Sequence, residues 1–507
     1  MNAAAFGSLP GSACTLGTQG AYGPDRIVKY LYSAADEVTT VRAGFGTGVQ
    51  QDAAVATFSD NGQQATLSDA GGNKTTFEYD GFDRLSKIRF PSPTTPGTSS
   101  TTDYEQFGYD AGSNLTSDRR RDGTSIAFAY DNLNRRTSMD LPSGGGADVS
   151  YAFDNFGRMT SAAISGHTLS FAYDQLSRVT GQTDPRGTLA YQYDIAGRRT
   201  RITHPDGFYA SYDWNLADEV TAIGINGVSV VANYTHDDLG RRTRLDRSNN
   251  VDTVWSYNGA SWLTGIAHDL AGAGDDQTYT FTLNPAGQIV ARSRSNSAYD
   301  PPVPANATTT YTDNGLNQYT AVASATPTYD ARGNITYDGQ RNYTYDALNR
   351  LVTAGTGTLT WDPAGRLDSF NNGSGAQGTL WDGGDLVVDY TTTGAVARRF
   401  VHGPSLDEPV VWYDGAGTSM PSYSSADQLG SVVAWSNASG IRTQINSFDD
   451  YGAPGPSNGG RFQFTGQTWM PGAIGADLYH YKARVYSTTL GRFLQTDPIG
   501  YDGGMNL

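Results

Sequence analysis

The 507-residue sequence predicts an all-β chain built as a serial array of antiparallel β-hairpins, and three observations carry that prediction. A motif of the form Y-x-Y-D-x-x-G-R, complete at residues 191–198 (YQYDIAGR), returns along most of the chain at a period of about 20 residues, the range of repeat architectures. Glycine (61) and tyrosine (31) are abundant while charged residues are only 17%, as short strands joined by tight turns require. Finally, no long segment spaces its apolar residues at the three-and-four interval of a helix.

The archetype explains the copies. Tyr191 and Tyr193 stand two apart and so share one strand face, where aromatic rings suit a pleated, half-buried surface. An aspartate can accept from the backbone two residues on, and a glycine accepts positive φ. Asp194 to Gly197 therefore reads as a type I turn closing in a bulge, with a return strand from Arg198. In chain order, weak copies begin with Tyr30 and Ser33 and with Phe58, Ser59 and Gly62. Clearer ones follow at Asp80 with Asp83, at Asp110, at Asp131 with Asn134, at Asp154 with Gly157, at Asp174 with Ser177 and at Asp194 with Gly197. Later copies are read at Tyr212-Asp213, at Asp237 with Gly240, at Tyr257-Asn258, at Asn284 with Gly287, at Asp330 with Gly333, at Asp346 with Asn349, at Asp362 with Gly365 and at Trp381-Asp382. Asn and Asp replace Gly because they accept left-handed geometry next most readily, whereas Ser177 is expected to weaken its copy. The Pro-rich stretches at 91–102 and 299–304 read as looped excursions. Between Tyr329 and Trp381 the period shortens toward about 16, which implies shorter arms.

Residues 1–25 read as a leader or linker remnant, 26–390 as the hairpin array, and 391–507 as a module of different character. A net charge of -16 repels phosphate backbones, so nucleic acid is not an expected partner. The one dense basic run, Arg119 to Arg121, reads as a solvated strand edge. No apolar run reaches bilayer-spanning length, and no signal-peptide pattern opens the chain. Cys14 is alone, so no internal disulfide can form, and the six histidines lack ligand spacing. No metal and no cofactor are expected. The turn aspartates are explained by the turns themselves, and the tyrosines by packing ahead of a sugar-stacking platform.

Many Tyr-Asp copies followed by Gly491-Arg-Phe-Leu-Gln-Thr-Asp-Pro-Ile-Gly500 resemble the Rhs, or YD-repeat, proteins: bacterial Rhs polymorphic toxins, the C components of insecticidal toxin complexes and the teneurins. The resemblance runs from about residue 30 to 507, with the last hundred or so residues similar to the Rhs-repeat-associated core. It implies a β-sheet wound in a spiral into a shell, plugged at one end by the core. It also implies a C-terminal effector as partner, a delivery apparatus, a secreted or cell-surface location, and release of the effector by chemistry like that of aspartic proteases. A surface protein that binds glycans or neighbouring cells is the rival reading.

By the same resemblance Asp497, in Asp-Pro-x-Gly, matches the catalytic carboxylate, and Arg484 and Arg492 would orient or charge-balance the core. A turn carboxylate capping amides before Pro498, and a structural ion pair for the arginines, are the alternatives. The second aspartate of toxin-complex members falls at Val485 here, and Asp502 is the only nearby substitute. The aspartyl site therefore reads as incomplete. Abrupt strand edges at the ends of an array also predict self-association.

Overall fold

In the computed structural model of this chain, residues 26–227, 229–301, 308–470, 472 and 474–500 are described. Cys14, Asp502, the leader at 1–25 and the end of the core after Gly500 lie outside them. Apart from 3-10 turns at Ser297–Tyr299 and Phe464–Gly466, the elements among the described residues are strands.

Twenty-four strands, from β1 (Lys29–Tyr32) to β24 (Ile289–Arg294), make one sheet in which successive strands pair antiparallel. Two small hairpins follow, Tyr311–Asp313 with Tyr319–Val322 and Thr328–Tyr329 with Ile335–Tyr337. An eleven-stranded sheet then runs from Tyr343–Tyr345 to Arg442–Ile445, crossing residue 390 without a break. Its opening strands are only three to five residues long, as the shortened period implies. A four-stranded sheet ends the described chain: Thr468–Trp469, Leu478–Tyr481, Arg484–Ser487 and Arg492–Phe493.

The repeat turn has one geometry. In the archetype the Asp194 amide donates to the Arg198 carbonyl at 3.0 Å and the Gly197 amide to the Asp194 carbonyl at 3.1 Å, with a register shift between Gln192 and Tyr193 marking the bulge. Gly197 has φ +90°, and Asn134, Asn349 and Asp83 sit at 60°, 60° and 62° in the same place. Ser177 does the same at 64°, and its turn keeps both bonds at 3.0 and 3.1 Å. The expected weakening of that copy is thus absent: Asp174 still collects the Leu176 and Arg178 amides, so the carboxylate and not the fourth residue closes the turn.

Gly157, Gly240 and Gly365 take part in their turns as the motif predicts. They take the fourth position at φ 81°, 73° and 79°, and each amide donates to the carbonyl of its own turn residue, Asp154, Asp237 or Asp362, at 3.1, 2.9 and 2.9 Å. Gly157 and Gly240 lie exposed at their hairpin tips and Gly365 is half-buried, so what they contribute is a backbone conformation and one amide, which Asn, Asp or Ser supplies equally in other copies. A Cβ at Gly157 would meet nothing within 4 Å, and one at Gly240 would stand 2.9 Å from a Glu219 carboxylate oxygen, the movable end of a flexible side chain, so positive φ and not crowding is what favours glycine at both.

Three other expectations need correction. The copy placed at Tyr212-Asp213 turns two residues later, at Asn215 to Asp218, with Trp214 in the tyrosine position. Asp382 does not open a four-residue turn; it faces Asp385 across a two-residue tip containing Gly383 at φ 58°. And Arg119 to Arg121 are no solvated edge. Their strand, Leu115–Arg119, is paired on both sides, Arg121 forms a 2.6 Å ion pair with Asp103, Arg120 one of 3.1 Å with Asp118, and Arg119 lies on Tyr104. Asp103, on the neighbouring strand, could not be located as a partner from sequence.

The long sheet and the eleven-stranded sheet pack on each other. Leu189, Ile223, Ala232 and Leu245 of the first share one buried cluster with Leu380, Val388, Val411 and Tyr413 of the second. Polar pairs follow the same seam: Gln182 to the Trp381 carbonyl, Arg186 with Asp368, Arg399 with Asp206, Arg242 with Glu408, and Asn249 with Ser436. Each links residues far apart in sequence, so the chain lies back over its own earlier repeats. The four-stranded sheet enters a second cluster, where Leu478, Val485 and Leu494 meet Leu351, Leu367, Trp381 and Phe400.

Candidate functional site

Two arrangements carry the chemistry-bearing residues. The first is a ladder along the turns. Within a repeat the aspartate accepts from two amides and from the arginine that follows: Asp154 from Phe156 N (2.9 Å), Arg158 N (3.0 Å) and Arg158 Nε (2.7 Å). That arginine also reaches the next repeat. Arg158 Nη1 donates to the Asp174 carbonyl at 2.9 Å and its guanidinium lies 4.7 Å from the Tyr173 ring; Arg178 does the same to Asp194 and Tyr193 at 3.1 and 4.8 Å. The tyrosine hydroxyl in turn donates backwards, Tyr173 to the Met159 carbonyl at 2.7 Å and Tyr193 to Val179 at 2.7 Å. Trp214 and Trp361 substitute their indole N–H in the same bond, to Arg199 and Leu351. Hydrogen bonds from Arg135 hold the Asp131 carboxyl below its usual range, and the same direction holds for Asp154, Asp174, Asp194 and Asp237, where the arginine and backbone bonds outweigh desolvation. The turns at Asp237, Asp346 and Asp362, with Gly240, Asn349 and Gly365 in the fourth position, repeat the internal bonds. The sequence displays Asp, Gly and Arg at fixed spacing, but the arginine's role between repeats is visible only when consecutive hairpins lie side by side.

The second arrangement surrounds Asp497. Its Oδ2 pairs with Arg484 at 2.9 Å and its Oδ1 accepts from the Ile499 amide at 3.1 Å, so the ion pair and the turn cap coexist. Arg484 is steadied by the Phe493 ring, 3.9 Å away. Arg492 is elsewhere: it lies 4.5 Å from the Tyr319 ring and donates to the Asn317 carbonyl at 3.1 Å. It makes no ion pair among the described residues. Val485 is fully buried and its amide is held by Gln495 at 2.8 Å, so that position contributes no carboxylate.

Sequence reading missed what faces Asp497. A cavity of about 270 Å³ is lined by Asp497 and Pro498 on one side and by Ile88, Phe90, Glu105 and Arg120 of the long sheet on another. Burial pushes the Glu105 carboxyl up against the attraction of Arg120, which lies 3.7 Å away. Nearly four hundred residues separate Glu105 from Asp497, and no local pattern marks it. Among the described residues no cluster of three or more His, Cys, Asp or Glu has the arrangement of a metal site. No helix of the described residues is long and apolar enough to cross a membrane.

Fold and turn ladder together define a β-hairpin repeat shell. The RHS Repeat family matches residues 58–95 and 173–209, so the array contains RHS repeats at those two places. The crystal structure of TcdB2-TccC3 aligns with 97% of this chain at 14% identity and a TM-score of 0.53, and so does that of TcdB2-TccC3 without its hypervariable C-terminal region. The Photorhabdus luminescens Tc holotoxin pore aligns with 97% at 14% identity and a TM-score of 0.50. This chain spans about 30% of the length of those chains, and at such identity the likeness is one of fold. No curated protein matches the sequence.

Proposed function

We propose that this chain is the shell portion of an Rhs-type toxin, a structural container for an effector that continues from its C-terminal end. Residues 26–390 supply the repeat wall and 391–507 the associated core, with a delivery apparatus as further partner and a secreted or cell-surface site of action. The supporting observation is where the last described residues lie. Asp497 to Gly500 line a cleft walled by the first sheet, so the chain leaves its final strand toward the repeat wall.

The cleft also favours self-processing as a second activity. Asp497, ion-paired with Arg484, serves as the base, and Glu105, whose burial favours the protonated form, as the acid. Asp497 takes a proton from water as the water oxygen bonds to a peptide carbonyl carbon. Glu105 gives its proton to the nitrogen as the C–N bond breaks.

Both readings are tested on the natural chain extended through whatever follows residue 507. We expect the following segment to resist a protease that degrades it when expressed alone, and intact-mass spectrometry to find cleavage that Asp497→Asn and Glu105→Gln each suppress. Equal digestion in both settings would sink the container; cleavage persisting in Asp497→Asn would sink the processing site. Adhesion through surface glycans remains the rival for the whole protein.

A further inference from the structure

Apart from the Asp497 cleft, and independent of the container reading, a cavity of about 270 Å³ is walled by Leu245, Arg247 and Thr253 of the long sheet and by Pro409 and Ser424 of the eleven-stranded sheet. Arg247 is only 6% exposed. Its Nη1 donates to the Thr253 hydroxyl at 2.9 Å and to the Val251 carbonyl at 3.5 Å. Its Nε and Nη2 make no hydrogen bond, and no carboxylate of the described residues comes within ion-pair distance of it. Burial pushes its pKa down to about 10, so the group is still charged at neutral pH, and the more distant Glu408 and Asp252 favour that charge without touching it. A buried cation with no counter-ion in contact is a costly arrangement for a fold to keep.

The acids lining the cavity are engaged elsewhere. Asp407 is held by Lys482 at 2.8 Å and by the Gln467 side-chain amide at 2.6 Å. Glu408 is taken by Arg242 and by the Ser405 amide at 3.0 Å. Asp427 caps its own turn through the Leu429 and Ser431 amides at 2.9 and 3.0 Å and meets Arg292 at 3.4 Å. Behind the wall His268 shares the Thr253 hydroxyl at 2.9 Å, and burial pushes its pKa down to about 3, so it adds no second cation.

What such a site lacks is an anion, and its surroundings restrict which one. Nε and Nη2 form one edge of the guanidinium, the pair of donors that a planar carboxylate takes with both oxygens. A multiply charged anion would be repelled by Asp407, Glu408 and Asp427, and an inorganic ion would leave the apolar surface of Leu245, Pro409 and the exposed Leu406 uncovered. We propose that this cavity binds a small monocarboxylate, its oxygens on the free Nε–Nη2 edge of Arg247 and its apolar body against Leu245 and Pro409.

Saturation-transfer NMR on the whole chain tests this with butyrate and benzoate as free acids, N-acetylleucine as a peptide end, benzamide as the uncharged counterpart of benzoate, and phthalate as a dianion. At least one monocarboxylate is expected to bind at millimolar concentration and to raise the melting temperature of the protein, with benzamide and phthalate weaker. Arg247→Met removes the buried charge and fills its place with an apolar chain, so it should melt no lower than the parent without ligand and bind the acid about tenfold or more weakly, as loss of a bond between charged partners does. Arg247→Lys should retain more binding than Arg247→Met. No transfer to any monocarboxylate, benzamide binding as well as benzoate, or undiminished binding in Arg247→Met would each overturn the assignment. The first two outcomes are read on the parent alone, and circular dichroism confirms that the variants are folded.

Discussion

The side chain that does most for this fold is the turn aspartate, and its worth depends on how far water is excluded. Asp362 accepts from Ala364 N at 2.9 Å, Arg366 N at 2.8 Å and Arg366 Nε at 2.7 Å while only 4% exposed. Asp362→Ala strands a partly buried arginine and two amides, and should destabilise the chain by about 2–4 kcal/mol in urea melts. Asp362→Asn retains the acceptor for the amides and should lose less. Asp194 makes the same amide and guanidinium bonds with more water around it, so Asp194→Ala should cost less than Asp362→Ala. The aspartate and its left-handed partner are legible in sequence because the whole turn closes within five residues. Whether a copy is buried is not legible, since that depends on which later strand covers it.

Single hairpins of this kind are marginal alone, so the decisive unit is the contact between the two sheets. Asp368 of the second sheet joins Arg186 at 2.5 Å and His167 at 3.3 Å on the first. Burial opposes its charge, yet the bonds from His167 and Arg186 prevail and hold its pKa near 2, below the ordinary aspartate value of about 3.9. The sign follows: this carboxylate stabilises the fold fully above about pH 4, and its contribution disappears as pH falls through 2. Asp368→Asn should therefore be less stable than the parent at neutral pH and decline less steeply between those limits, read from denaturant melts at stepped pH. Parallel slopes would show that the carboxyl is not linked to folding. The tyrosine bonds belong to this scale too. Periodicity identifies Tyr173 and Tyr193 as strand residues, but their hydroxyl acceptors, Met159 and Val179, lie on the preceding hairpin and only sheet order reveals them.

Over the whole molecule, a strand array must manage its ends and its rim. β1 and β24 each pair on one side only among the described residues. Along the turns Phe82, Phe156, Leu176, Ile195, Leu216 and Leu239 are each at least 70% exposed, an apolar series at the hairpin tips. Both features favour association at high concentration, as unpaired edges and contiguous apolar patches do. Sedimentation velocity should show oligomers that diminish in the triple variant Phe156→Lys, Ile195→Lys, Leu216→Lys. A single monomeric species over the accessible concentration range would refute this.

The sequence by itself determined the unit of this protein: a strand, an Asx-type turn and a bulged return, because every bond of that turn closes locally and demands particular residue types. It also carried the serial order of the repeats and the absence of a second aspartate at Val485. Tertiary structure alone decided the rest. It laid the second sheet over the first, replaced the expected solvated edge by ion pairs at Arg120 and Arg121 and a ring contact at Arg119, put Glu105 and Asp497 in the lining of one cavity, and enclosed the cavity at Arg247. Those neighbours are far apart in the chain, and a repeat that looks alike in every copy contains no local record of which copy it will face.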